Sequence, residues 1–113
     1  MSPYERRLPQ ELVRIFIGEI RSSHYFIESS NALISNFRNM GISSLKMSFV
    51  WLFETIRENR GSFDLSPEFD YLSFKKLRNQ VVHSANRWDE REVLQEIFSY
   101  VDELELLITS PGL

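Results

Sequence analysis

The apolar residues of this chain recur at spacings of three and four, and nowhere alternate with period two over a useful length. That pattern restricts the fold to helices packed on helices. Val13, Ile20, Ile27 and Ile34 return every seven residues, with Phe16, Ile17 and His24 on the same flank. They predict one long helix, or two nearly collinear ones, that starts at Pro9 and ends before Gly41. Proline suits a first turn whose amides have no intrahelical acceptor, and Glu11 suits its positive end. Leu45, Phe49, Leu52, Phe53 and Ile56 predict a second helix from about Ser43 to Arg57, stopping at Gly61. Ser66-Pro67-Glu68 reads as cap, first-turn proline and first-turn acid of a third helix, running through Phe74, Leu77 and Val81 and fraying from His83 to Asn86. Asp89 and Glu92 have capping-box spacing ahead of a fourth stripe: Val93, Leu94, Ile97, Phe98, Val101, Leu104, Leu107 and Ile108. Ser110-Pro111-Gly112 ends it.

The expected fold is a single all-α domain over residues 1–113, an antiparallel four-helix bundle with a long first helix. Ser23, His24 and Asn31 interrupt the apolar seam of that helix. Such a seam suits a partner helix or a wet cleft, and with it a symmetric dimer.

Composition narrows the chemistry. The absence of cysteine removes disulfides, thiolate zinc sites and thiol nucleophiles, and fits a reducing, cytoplasmic setting. No segment has the length and apolarity of a membrane span or of a signal-peptide core, and no repeat or glycine-rich phosphate loop occurs. With a net charge of −3 and a pI near 5.4, the surface as a whole does not attract nucleic acid, so any RNA contact has to be local. From Tyr71 to Trp88 the chain carries Lys75, Lys76, Arg78 and Arg87 and no acid. The plain reading is a solvated helix face; the functional one is an RNA-binding patch of Lys75, Lys76 and Arg87.

Inside that island lies Arg78-Asn79-Gln80-Val81-Val82-His83, with Leu77 before it. An imidazole, titrating near pH 6.5, is suited to the proton transfers of RNA cleavage through the 2′-hydroxyl. A guanidinium presents forked, permanently charged donors to the phosphate oxygens of the transition state. His83 and Arg78 fit those roles, and the Asn79 amide suits holding either the imidazole or the phosphate. On a straight helix Asn79 and His83 share a face, whereas Arg78 and His83 stand roughly 140° apart. Either the helix loosens between them, or each meets groups from a second copy across a shared cleft.

Leu77 to His83 resembles the HEPN superfamily, small helical bundles marked by an Arg, four to six intervening residues and a His, with Asn a common residue after the Arg. Total length and the acid-capped final helix agree. The resemblance implies a metal-independent endoribonuclease without cofactor, acting in a defence or toxin–antitoxin setting and leaving a 2′,3′-cyclic phosphate and a 5′-hydroxyl. It also implies a homodimer whose paired motifs line one groove, and an antitoxin or larger defence partner. One branch of the family carries a tyrosine two places after the His as a target of adenylylation; here that place is Ala85, against that route.

Bland roles stand beside these. His83 suits the negative end of a helix dipole, Arg78 an ion pair with Asp70 or an acid of the last helix, and Asn79 an interhelical hydrogen bond. His24 with Glu28 lacks further metal ligands and reads better as a packed interior or interface histidine. Glu54 favours neither reading. Trp88 suits an apolar staple before Asp89 more than a base-stacking platform. Two functions therefore stay open: the endoribonuclease, with Arg78, Asn79 and His83 catalytic, and a noncatalytic helical module that dimerises or docks a partner.

Overall fold

The computed structural model describes residues 8–30, 35–63, 65, 69–83 and 90–109. Among them lie the α-helices α1 (Pro9–Ser30), α2 (Ser35–Glu58), α3 (Tyr71–His83) and α4 (Glu90–Thr109), a short 3₁₀ turn at Arg60–Ser62, and no strand. None of these helices is long and apolar enough to cross a membrane. The stripes read from the sequence converge on one core: Val13, Phe16, Ile17, Ile20 and Ile27; Leu45, Phe49, Leu52, Phe53 and Ile56; Phe74, Leu77 and Val81; and Val93, Ile97, Val101 and Leu104 are all buried.

The first helix is shorter than its seven-residue seam suggested, ending at Ser30, and the second begins at Ser35, well before Ser43. Ile34 and Asn31 lie outside the described residues. Partners pair in reversed order along α1 and α2. Phe16 meets Trp51 edge to face at 5.6 Å, the Ser48 hydroxyl donates to Glu19 at 3.1 Å, and the Ser23 hydroxyl donates to Ser44 at 3.1 Å. Ser23 thus satisfies its hydroxyl across the α1–α2 contact. Val13, Phe16, Ile17, Ile20 and Ile27 of the seam are buried in the chain's own core.

Gly41 does not end a helix; it sits within α2. A Cβ there would lie 2.8 Å from Ile27 Cγ1 and 3.0 Å from Phe26 Cδ1, so glycine is present for close approach of the two helices. Sequence alone could not separate this role from helix termination, because both call for a missing side chain. At the other end of α2, Asn59 Nδ2 donates to the Thr55 carbonyl at 2.9 Å, and the chain then tightens through Arg60–Ser62 around Gly61.

The third helix also starts later than expected. Ser66, Pro67 and Glu68 lie outside the described residues, and the observed cap is Asp70. Its Oδ1 accepts the Ser73 amide at 3.0 Å and its Oδ2 accepts the Ser73 hydroxyl at 2.6 Å, the N-cap pattern that satisfies an otherwise orphaned amide. Phe74, fully buried, fixes the rotation of α3. Its ring meets Phe49 at 5.7 Å and Phe53 at 5.1 Å on α2, Phe69 at 5.5 Å, and Tyr100 of α4 at 5.0 Å. The anticipated fraying beyond His83 and the Asp89 cap fall outside the described residues.

Two glycines should respond oppositely to alanine. Gly18→Ala, in mid-α1 with nothing within 4 Å of the added carbon, should raise stability by about 0.5–1 kcal/mol through helix propensity. Gly41→Ala gains the same propensity but incurs overpacking of about 1–3 kcal/mol, for a net loss on the order of 1 kcal/mol. Urea midpoints measure both; a stabilising Gly41→Ala would refute the close approach.

The Asp70 carboxyl is held below its ordinary value of 3.8 by the Ser73 hydroxyl first and the Ser73 amide next. A depressed folded-state value means stability present above 3.8 and lost as pH falls through the lowered value. Asp70→Asn, a neutral cap of the same shape, should therefore lose less stability than the parent on acidification; equal losses in thermal melts would contradict the cap.

Candidate functional site

Helix α3 is unbroken from Tyr71 to His83, so it does not loosen within the motif. Phe74, Leu77 and Val81 take the core face, which sets Arg78 on the flank towards α2 and turns His83 outward, exposed, on the last turn. The roughly 140° separation expected for a straight helix is therefore retained. Within one chain, Arg78 and His83 belong to different surfaces.

Arg78 is held on three sides. Its side chain is 27% exposed, with the guanidinium carbon 5.8 Å from the Phe53 ring centre. Nη2 donates to Glu54 Oε1 at 3.2 Å and Nη1 to Asn79 Oδ1 at 3.0 Å. Nε is buried without a hydrogen-bond partner among the described residues. Glu54, 28% exposed on α2, also accepts from Arg57, through Nε at 2.9 Å and through Nη2. One carboxylate thus holds two guanidinium groups, and the trio keeps a net positive charge.

This arrangement corrects two expectations. Arg78 pairs with neither Asp70 nor an acid of α4 but with Glu54, a residue to which the sequence assigned no role. Glu54 and Arg78 are 24 residues apart in the chain, and no local pattern announces a contact that depends on how α2 and α3 pack. Asn79 neither spans helices nor reaches the imidazole; its carbonyl oxygen braces Arg78 along the same helix, leaving its amide hydrogens for another acceptor.

Lys75 and Lys76 are exposed on α3, whereas Arg87, Trp88 and Ala85 lie outside the described residues. The two flanks of α3 differ in sign. Towards α2 stand Lys75 and Arg78, while Lys76 lies apart from them and its charge acts on Asp70; towards α4 lies an open cleft of about 370 Å³ carrying Asp70, Glu96 and Glu103 around Ser73 and Tyr100. Burial first, and the Asp70 charge next, push the Tyr100 phenol above its usual range. A phosphodiester would be repelled from that side.

His24 packs between α1 and α4, its ring centre 4.5 Å from Phe98, with Nε2 3.4 Å from Glu28 Oε1. Nearby Arg21 bridges Asp102 at 2.9 Å and Glu105 at 3.0 Å. No group of three or more potential metal ligands occurs among the described residues. His24 thus packs on Phe98 of α4 with its side chain 38% exposed, a contact between helices and not an interior position.

No protein-family model, curated protein or solved structure matches this chain. Function has to be reasoned from the geometry. The part-buried Glu54–Arg78 pair should contribute about 1 kcal/mol, between the values of exposed pairs and of well-ordered charged hydrogen bonds. A double-mutant cycle with Glu54→Gln and Arg78→Gln, read by urea unfolding, should return a coupling of that size; independent effects would dissolve the pair.

Proposed function

We propose that the chain is an antiparallel four-helix bundle of the HEPN type and acts as a metal-independent endoribonuclease in a cytoplasmic defence or toxin–antitoxin setting. Arg78, Asn79 and His83 line a cleft between two copies. The observation that carries this reading is a braced guanidinium and an exposed imidazole presented by one unbroken helix on different surfaces. Two-fold pairing of α3 brings the Arg78 of each copy towards the His83 of the other. Leu72 and Val82, both exposed on α3, give the second copy an apolar footing beside the motif.

In the proposed reaction the 2′-oxygen attacks the adjacent phosphorus as its proton passes to a base. The bond from phosphorus to the 5′-oxygen breaks, and that oxygen takes a proton, leaving a 2′,3′-cyclic phosphate and a 5′-hydroxyl. His83 serves the proton transfers. Arg78, fixed before substrate arrives, spends no ordering entropy in meeting the charge that builds on the phosphate oxygens. Asn79 keeps the guanidinium plane oriented. A competing reading, a noncatalytic docking module, draws on the net charge of −3 and on the Glu54–Arg78 ion pair as a purely structural contact.

His83→Ala should reduce cleavage of single-stranded or loop RNA by about 10²–10⁴-fold and Arg78→Ala by about 10²–10³-fold, with unchanged far-ultraviolet circular dichroism. The His83 variant should still bind RNA. Cleavage surviving in EDTA-treated His83→Ala protein would discard the site, and a parent that cuts no RNA but dimerises and captures a protein partner would favour the docking module.

A further inference from the structure

Arg78 is not the only cation on its side of the molecule. Arg57, on the last turn of α2, shares Glu54 with it. Arg60, in the 3₁₀ turn that follows, lies with its guanidinium carbon 4.0 Å from the centre of the Tyr71 ring. That ring stacks on Phe53 with centres 5.9 Å apart, and Phe53 in turn lies beneath Arg78. An aromatic pair therefore links Arg60 to Arg78 across the α2–α3 junction, and Lys75 stands one helical turn before Arg78 on the same flank. Arg57, Arg60, Lys75 and Arg78 come from two sequence segments that the linear charge pattern did not join.

We propose that this α2–α3 junction is a backbone-binding track for single-stranded RNA, with Arg57 and Arg60 as phosphodiester contacts beyond the motif. The inference extends the ribonuclease reading by naming where the strand runs as it leaves Arg78. Among the described residues Glu54 is the carboxylate that contacts these cations, and it is shared by two of them. Glu58, exposed one turn after Glu54, adds a second acid on that side, so the four cations still outnumber the acids. Asp70 is engaged with Ser73 on the α4 side. Arg60 is held over the Tyr71 ring without a carboxylate partner among the described residues. A track of this sign, opposite an acidic cleft on the other flank of α3, gives a polyanion one direction to follow.

The test uses a fluorescent 2′-O-methyl oligouridylate, which cannot be cut through its own 2′-hydroxyl, and anisotropy at several salt concentrations. Arg57→Gln and Arg60→Gln should each weaken binding several-fold at low salt and flatten the log–log salt slope by about 0.7, the single-strand value for one lost phosphate contact. Arg60→Lys should restore most of the slope. Arg21→Gln removes the same charge between α1 and α4 and should change neither quantity. The proposal is overturned if Arg21→Gln weakens binding as much as the other two, if all slopes are equal, or if polyglutamate binds and the oligouridylate does not. Binding as expected by a protein that never cuts RNA would uphold the track and remove the ribonuclease. Cleavage with unaltered slopes would do the reverse.

Discussion

The Phe74 ring determines where everything of functional interest points. It is fully buried and touches rings from α2, from the segment before α3 and from α4, so α3 has one rotational setting that keeps these contacts. Truncating such a ring removes about 3–5 kcal/mol, a large fraction of what a domain of this size has to spare. With Phe74, Leu77 and Val81 inward, helical geometry leaves Arg78 on the α2 flank and His83 in solvent. The chemical asymmetry of α3 is therefore a consequence of core packing.

That same setting lets Glu54 reach Arg78. A guanidinium braced by a carboxylate, an amide oxygen and an aromatic face loses its rotational freedom at folding and not at the moment of binding. Sharing Glu54 with Arg57 keeps the local charge positive, so the brace does not cancel the function proposed for it. On the opposite flank, Asp70, Glu96 and Glu103 make the surface repulsive to phosphate. A protein of net charge −3 can thus present a basic track without being basic overall.

The four stripes were legible in the sequence because periodic burial needs only local spacing: Val13 to Ile27, Leu45 to Ile56, Phe74 to Val81 and Val93 to Leu104 are buried as expected. Most of what escaped depends on two elements meeting, the local Asp70 cap excepted. Gly41 signals a stop when read alone, and becomes a contact residue only against Phe26 and Ile27 of another helix. Asp70 was passed over because Ser66-Pro67 offered a stronger start signal nearby. Arg57 and Arg60 lie before the acid-free stretch and join Lys75 and Arg78 only once α2 and α3 pack. The seam of α1 packs on α2 of the same chain, a contact that spacing alone does not assign.

If Arg78 and His83 act on one phosphodiester from different surfaces of an unbroken helix, the working site must combine two chains. Mixing the separately inactive Arg78→Ala and His83→Ala proteins under exchange conditions tests this directly. Random pairing gives half heterodimers, each with one composite site intact and one doubly defective. The mixture should recover roughly a quarter of the parent RNA-cleavage activity. Recovery of none, with heterodimers demonstrated by a tag on one variant, would mean that each chain works alone and would contradict the shared cleft.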